Sequence, residues 1–230
     1  MKKVVAIALA LAALVASYAV ADDDAVYSVN TVGVIKYTIP PEGGLTCVSL
    51  PLEPMGDSVE TKWGDTTLAA QLLPGSSVYF WRGASWQSFT KSTSGKWTPA
   101  ASNRVVQAGE AVFLQSPTTQ TTDHVIAFVG ELPTDDEMTY TINGEGNLVP
   151  RGVTPYPVGG KFGESKLAAE LPNSSSVYFW NGTSWQGFTK STSGKWTPAA
   201  SNRVFTVGQG IFIEDAGASA IITNSIPYDL

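Results

Sequence analysis

The residues that most often carry enzyme chemistry are scarce in this sequence of 230 residues. It contains one histidine, His124, and one cysteine, Cys47. A Ser–His–Asp triad would have to be built on His124, but no G-x-S-x-G elbow presents a serine nucleophile. A zinc site needs three or four His, Cys or carboxylate ligands, more than this pair supplies. We therefore predict structural roles for both residues, with no catalytic site, no metal and no cofactor.

Carboxylates are the remaining acid–base groups, and the chain has 20 of them. A glycosidase needs two carboxylates held at a defined separation, so such pairs are available in principle. However, two segments of nearly identical sequence, Ser76–Arg104 and Ser175–Arg203, contain no Asp, Glu, His or Cys. The best-preserved part of the chain thus lacks every common general acid or base, which favours a non-enzymatic protein over a hydrolase.

Two acidic triplets stand out from the other carboxylates. They are Asp22, Asp23 and Asp24, and Asp135, Asp136 and Glu137. Neither has the alternating D-x-D-x-D-G spacing of a calcium loop. Adjacent acids in an extended chain point in opposite directions, so these triplets are interpreted as solvated charge runs that are also available for contact with a basic partner.

The two nearly identical segments belong to an internal repeat with a period of 99 residues. They differ only at Arg82/Asn181, Ala84/Thr183 and Ser88/Gly187, and KSTSGKWTPAASNR occurs in both without change. The same offset aligns Pro51 with Pro150 upstream and Phe113 with Phe212 downstream. A repeat of this length is a domain-sized unit rather than one turn of a solenoid.

The repeated segment is aromatic and basic within an acidic protein. Its candidate binding residues are Trp81, Trp86, Lys91, Lys96, Trp97 and Arg104 in the first copy, and Trp180, Trp185, Lys190, Lys195, Trp196 and Arg203 in the second. Together with the acidic triplets, these residues are the predicted binding site for a ligand or for another copy of the chain.

Both copies are predicted to consist mainly of short strands. Apolar, β-branched runs such as VGVIKYTI and LTCVSLPL are bounded by Pro and Gly. Asn181-Gly182 separates two aromatic-rich strands and is a strong hairpin signal. DTTLAAQLL and ESKLAAEL predict one short helix per copy, beginning near Asp65 or Glu164. We predict an all-β protein of two tandem sandwich-like or barrel-like modules, 22–132 and 133–230, each with one short helix.

The N-terminus has the features of a secretory signal peptide. Lys2 and Lys3 precede an apolar run, and Ala19-Val20-Ala21 matches the cleavage pattern, so residues 1–21 are predicted to be removed. The expected location is extracellular or at the cell surface, with the periplasm as an alternative. No later apolar run reaches ~20 residues, so no membrane span is expected after cleavage. The net charge of −6 argues against nucleic acid and anionic membranes as partners.

Several motifs together resemble a module of secreted bacterial β-proteins. The chain contains GGLTCVSLPLEP, VYFWRGASW and AGEAVF in its first copy, and GNLVPRGV and GQGIF in its second. These segments resemble the consensus of that module, G-(W/F)-N-L-(I/V)-S-x-P-L, V-Y-x-(W/Y)-(D/N)-G-x-x-W, G-x-G-(Y/F)-(F/W). This chain departs from the consensus at Leu45-Thr46 and at Pro150-Arg151. The resemblance implies an exported surface β-protein of unassigned biochemical activity, and it implies no catalytic residues.

The aromatic and basic segment admits several interpretations. Its tryptophans are either core residues or exposed rings, since alternation in SVYFW places Val78 and Phe80 on one face and Tyr79 and Trp81 on the other. Its identity in both copies reflects either a shared contact or recent exchange between the two halves of the gene. A shared contact would be head-to-tail self-association of acidic and basic groups, donor-strand addition of the N-terminal strand, or binding of an extracellular polysaccharide to exposed, roughly coplanar rings.

Overall fold

Strands make up most of the regular structure of both repeats. The computed structural model describes residues 31–228, except for 54, 56–60, 84, 102 and 144–147. The strands of the first repeat are β1 (Val32–Ile39), β2 (Leu45–Ser49), β3 (Thr61–Lys62), β4 (Ser77–Trp81), β5 (Trp86–Lys91), β6 (Trp97–Thr98), β7 (Val105–Val106), β8 (Ala111–Gln115) and β9 (His124–Glu131). Those of the second repeat are β10 (Glu137–Ile142), β11 (Leu148–Gly152), β12 (Gly160–Lys161), β13 (Ser176–Trp180), β14 (Trp185–Lys190), β15 (Trp196–Thr197), β16 (Val204–Phe205), β17 (Gly210–Glu214) and β18 (Ala220–Ser225).

Each repeat contains one short helix, α1 (Thr67–Gln71) or α2 (Lys166–Glu170), preceded by a 3₁₀ turn. The helices begin two residues later than Asp65 and Glu164, because Thr66 and Ser165 are the N-caps. Each N-cap side chain accepts one hydrogen bond from the backbone N–H three residues later, of Ala69 or Ala168, and so satisfies an otherwise free donor. Five-residue helices are unstable alone, so burial of their leucines against the sheet stabilises them.

Each repeat is organised around a five-stranded antiparallel sheet. The strand order is β2-β8-β4-β5-β6 in the first repeat and β11-β17-β13-β14-β15 in the second. The ribbons β1-β9 and β10-β18 and the short pairs β3-β7 and β12-β16 complete the pairing. The predicted Asn181-Gly182 hairpin is present between β13 and β14, with Gly182 at φ +102°.

The core of each repeat lies between the five-stranded sheet and the layer formed by the ribbon and the helix. Phe80 of β4 and Leu68 of α1 belong to one buried cluster in the first repeat. Phe179 and Leu167 occupy the matching positions in the second. Burial of such side chains contributes about 1.5–3 kcal/mol each, which makes this layer the main source of stability within a repeat.

Strand β8 is apolar on both of its faces. Val112 and Leu114 point into the core of the first repeat, whereas Ala111 and Phe113 point to the opposite face of the sheet. All four side chains are buried. A strand that is apolar on both faces lies in a sheet covered on both sides. The sheet therefore has a second packing partner besides its own ribbon and helix.

The outer edge of the ribbon is covered by side chains of the helix. The Thr67 hydroxyl accepts a hydrogen bond from Val129 N–H at 2.9 Å, and Gln71 Oε1 accepts one from Ala127 N–H at 3.0 Å. In the second repeat, Glu170 accepts from Thr223 N–H at 2.9 Å. These bonds occupy backbone donors through which a foreign strand would pair, so this edge is protected against strand addition.

The fold class predicted from the sequence is confirmed: the chain is all-β, with two repeated sheets and one short helix beside each. Val32–Leu230 forms one compact unit that includes both repeats. Within the described residues, no helix has the length and apolar character needed to cross a membrane. The predicted signal peptide, 1–21, lies outside the described residues.

Tyr37 gives a prediction about alkaline pH. Its hydroxyl donates to the Ser49 carbonyl at 2.6 Å, and burial raises the pKa of this phenol above its usual value. Above about pH 10 the unfolded chain loses this proton more readily than the folded chain, so the free energy of unfolding falls with rising pH. We expect Tyr37→Phe to make this fall shallower by up to about 1.4 kcal/mol per pH unit, measured by urea unfolding from pH 9 to 11.

Tyr37→Phe also removes a hydrogen bond and so lowers the free energy of unfolding at neutral pH. That offset is the same at every pH below the titration. The prediction is therefore tested by the slope of the free energy of unfolding against pH, and not by its absolute value. Parallel curves for the two proteins throughout this pH range would contradict the assignment.

Candidate binding site

The second faces of the two five-stranded sheets pack against each other. They carry half-buried aromatic side chains, namely Tyr79, Trp81 and Trp86 in the first repeat and Tyr178, Trp180 and Trp185 in the second. Buried among them are Cys47, Ala111, Phe113 and Phe212. We call this set of ten residues the aromatic interface. At this interface each sheet covers the second face of the other, as strands that are apolar on both faces, such as β8, require.

Two phenylalanines each insert into the opposite repeat at this interface. Phe113 contacts two rings of the second repeat, and Phe212 contacts two rings of the first. The four centroid distances are 5.8 Å for Phe113–Trp180, 5.6 Å for Phe113–Trp185, 5.8 Å for Phe212–Trp81 and 5.4 Å for Phe212–Trp86. All four pairs meet edge to face, a geometry that contributes about 0.5–1.5 kcal/mol per pair beyond burial.

Two backbone hydrogen bonds join the repeats, at positions that are related by an approximate twofold symmetry. Ser49 N–H donates to the Gly208 carbonyl at 2.7 Å, and Gly152 N–H donates to the Gly109 carbonyl at 2.9 Å. Gly109 and Gly208 have φ values of +73° and +72°. A Cβ on Gly208 would collide with the side chain of Tyr37, so this close approach requires glycine.

A pocket of about 430 Å³ opens at one end of the aromatic interface. Its walls are aromatic and come from both repeats: Trp81, Trp86, Phe113, Tyr178, Trp185 and Phe212. Leu148 and Glu214 complete the lining. Its size falls within the range of about 300–1,000 Å³ that small-molecule sites occupy. This pocket is the candidate binding site of the chain.

Among the described residues that line this pocket, Glu214 is the only charged one. Its carboxylate accepts a hydrogen bond from the Tyr178 hydroxyl at 2.5 Å. This bond, with burial as a smaller contribution, raises the pKa of Tyr178. The equivalent residue of the first repeat is Gln115, which accepts the same bond from Tyr79. The two ends of the aromatic interface therefore differ in charge.

The indoles of Trp81 and Trp180 also differ between the two ends. Trp180 Nε1 donates to the Leu45 carbonyl at 3.1 Å and is thereby tied to the first repeat. Trp81 Nε1 is buried without a hydrogen-bond partner among the described residues. The pocket lies at the Trp81 end of the aromatic interface, where the indole forms no such hydrogen bond to the described residues of the other repeat.

Two of the predicted binding tryptophans, Trp97 and Trp196, lie in the cores of their repeats. Trp97 packs edge to face on Trp63 with a centroid distance of 5.6 Å. Trp196 packs on Phe162 at 4.9 Å. The other four predicted tryptophans lie at the aromatic interface and are half-buried. Their rings are tilted or perpendicular to one another, whereas the polysaccharide hypothesis predicted exposed, roughly coplanar rings.

Lys91 and Lys190 are buried at the C-terminal ends of the helices. Lys91 Nζ donates to the carbonyls of Ala69, Ala70 and Leu72 at 2.8, 2.9 and 2.8 Å. Lys190 makes two equivalent bonds in the second repeat, both at 2.8 Å. Burial lowers the pKa of both ammonium groups, although the carbonyl acceptors favour the charged form. The lysines thus complete the helix ends.

Arg104 and Arg203 lie over phenylalanine rings. Each guanidinium carbon is 5.1 Å from the ring centroid, of Phe80 for Arg104 and of Phe179 for Arg203. Arg104 also forms an ion pair with Glu110 at 3.0 Å. Burial raises the pKa of Glu110, and Arg104 opposes this effect. These arginines are therefore engaged with their own repeats.

The remaining predicted charges lie on the surface. Lys96 and Lys195 are exposed at matching loop positions. Asp135, Asp136 and Glu137 are exposed where the second repeat begins. The first triplet, Asp22, Asp23 and Asp24, lies outside the described residues. The structure thus separates the predicted site into buried residues, interface residues and exposed charges, rather than bringing them together as one surface patch.

His124 and Cys47 do not share a site. His124 Nε2 lies 3.1 Å from the Gln71 carbonyl oxygen at the surface of the first repeat. Cys47 is buried in the aromatic interface, where burial raises the pKa of its thiol. In the part of the chain that the structure describes, no group of three or more His, Cys, Asp or Glu residues is placed to hold a metal ion.

Sequence reasoning missed five residues of this site: Phe113, Leu148, Tyr178, Phe212 and Glu214. Phe113 and Phe212 were visible as a matched pair in the repeat, and the apolar runs around them indicated strands buried on both faces. Glu214 carried a weaker signal, as a charged residue where the first repeat has Gln115.

The fold and the pocket define an all-β protein of two repeated sheets with an aromatic interface between them. Comparisons with family models, with curated protein sequences and with solved structures found no significant match. The resemblance to secreted bacterial β-modules therefore stays a prediction.

Lys91 and Lys96 offer a matched pair for a stability test. Lys91→Met leaves several helix-end carbonyls without a donor, and we expect the free energy of unfolding to fall by about 2 kcal/mol. Lys96→Met, at an exposed position in the turn that follows β5, is expected to change it by less than about 0.5 kcal/mol. Urea unfolding measures both, and equal effects of the two substitutions would show that Lys91 has no special structural role.

A double-mutant cycle tests the contact between the repeats. We expect Phe113→Leu and Trp185→Leu to be coupled by about 0.5–1.5 kcal/mol, because their rings meet edge to face across the interface. The control pair is Phe113→Leu with Trp97→Leu, whose residues belong to different buried clusters and should act nearly additively. If the first pair is also additive, the two rings do not meet in solution.

Proposed function

We propose that this chain is an exported, non-enzymatic structural or adhesive protein of the cell surface or extracellular matrix, which assembles head to tail with its own copies. The observation that carries the proposal is the distribution of the repeated residues. Their buried members stabilise the chain's own fold, and their exposed charges remain free to contact another copy. This arrangement suits a building block better than a catalyst.

Charge complementarity supports head-to-tail contact. Asp135, Asp136 and Glu137 form an exposed acidic run, whereas Lys96 and Lys195 are exposed cations on loops of both repeats. A contact between unlike surfaces of identical chains is heterologous, and it produces an open filament when its rotation does not close. Attraction between exposed charges is screened by salt, so such assembly depends on ionic strength.

Exposed apolar side chains on the first ribbon provide a second contact surface. Val32, Val34 and Val125 are exposed by 50, 59 and 57 %. Clusters of exposed β-branched residues on a strand are typical of surfaces that contact other proteins. Donor-strand addition by Val32–Ile39 is less favoured than face-to-face contact, because this segment already pairs with β9 along its whole length.

Electron microscopy of residues 22–230 in negative stain, at low and high salt, tests the proposal. We expect filaments or higher oligomers at low salt and fewer at high salt. Charge reversal by Lys96→Glu with Lys195→Glu should reduce assembly strongly. The matched control is Lys62→Glu with Lys161→Glu, which makes the same charge change at exposed, repeat-related positions elsewhere. Monodisperse particles under both salt conditions would overturn self-assembly.

Polysaccharide binding is the second candidate function, and the aromatic pocket is the observation that favours it. Half-buried indoles beside a carboxylate and a phenol are suited to stacking on a sugar ring and bonding to its hydroxyls. Affinity electrophoresis in polysaccharide-containing gels tests this function. Retardation that Trp86→Leu abolishes would support it.

A further inference from the structure

We propose that the pocket lined by Trp81, Trp86, Trp185, Phe212 and Glu214 binds a quaternary or fully N-methylated ammonium group. This activity goes beyond the proposed structural role and does not require assembly.

The walls of the pocket are rings set at steep angles to one another. Trp81, Trp86 and Trp185 meet Phe212 at interplanar angles of 84°, 90° and 81°. Phe113 meets Trp86 at 77°. Rings in such an arrangement surround a volume on several sides, instead of forming one flat platform. The negative face of an aromatic ring attracts cations, so an enclosure of this kind favours a compact positive charge.

The charge of the pocket has the sign that such a ligand requires. Glu214 contributes the one carboxylate among the described lining residues, and Tyr178 orients it by donating a hydrogen bond to Oε2. In the described chain, no Lys or Arg forms an ion pair with Glu214. The negative net charge of the whole protein, −6, adds a favourable field for cations.

The scarcity of hydrogen-bond acceptors selects the kind of cation. A primary ammonium has three N–H donors and is strongly hydrated, and it would exchange water for mostly apolar walls. A fully methylated ammonium has no N–H donor, and its methyl groups pack on aromatic rings. The pocket therefore favours the methylated cation over a lysine-like one.

The first repeat supplies an internal comparison. The equivalent end of the interface has Gln115 of the first repeat in place of Glu214, and there the indole of Trp180, from the second repeat, donates to the Leu45 carbonyl. Two identical copies would have given two equal ends. The change from amide to carboxylate occurs at the end where the pocket is open, so charge and access coincide at one position.

Isothermal titration with choline, together with quenching of tryptophan fluorescence, tests the inference. The neutral isostere 3,3-dimethyl-1-butanol has the same shape without the charge. We expect saturable choline binding that is at least about 10-fold tighter than binding of the isostere. Glu214→Gln, which installs the residue of the first repeat, should remove most of this preference.

Glu164→Gln is the matched control, since it removes one carboxylate at an exposed position and should leave choline binding unchanged. Near-ultraviolet circular dichroism and the urea midpoint confirm that each variant is folded. Equal affinity for choline and its isostere, an unchanged preference in Glu214→Gln, or no saturation by choline would each overturn the inference. Saturation by a neutral oligosaccharide alone would also overturn it and would support polysaccharide binding.

Discussion

The reciprocal insertion of Phe113 and Phe212 is the contact on which the rest of the structure depends. Each ring is anchored on a strand of its own repeat and buried among tryptophans of the other. A five-stranded sheet with only one covered face would expose a row of indoles and phenols to water. Mutual burial removes that cost for both repeats at once, so the two sheets stabilise each other as the subunits of a twofold dimer do.

The identity of the segment Lys91–Arg104 with its second copy is explained largely by contacts within each repeat. Lys91 closes the end of a helix, Trp97 fills the core, and Arg104 covers Phe80. Lys91 and Arg104 reach parts of the repeat that have changed little, whereas Trp97 packs on Trp63, a position that holds Phe162 in the second repeat. Strong internal constraint is therefore sufficient to account for much of the identity, and a common external partner is not required for these positions.

The sequence predicted those parts of the fold that depend on local pattern. Alternation in β4 separated Val78 and Phe80 from Tyr79 and Trp81 correctly, and the Asn181-Gly182 hairpin followed from turn chemistry. The docking of the two sheets depends on shape complementarity between distant segments, which composition and periodicity do not encode. For the same reason the burial of Lys91 was not foreseen, since its acceptors are carbonyls of a helix 19 or more residues away.

The two-sided character of β8 has a consequence for how its register is set. In most surface strands a shift by one residue would place apolar side chains in water, and this penalty fixes the pairing. In β8 such a shift would exchange Val112 and Leu114 with Ala111 and Phe113, four apolar side chains that are all buried, so apolar character alone does not fix the pairing. Side-chain size and the hydrogen bond of Gln115 therefore select the register: the observed alignment places the Phe113 ring among tryptophans of the other repeat and Gln115 against the Tyr79 hydroxyl. Docking of the repeats and correct pairing within the first sheet are thus coupled steps.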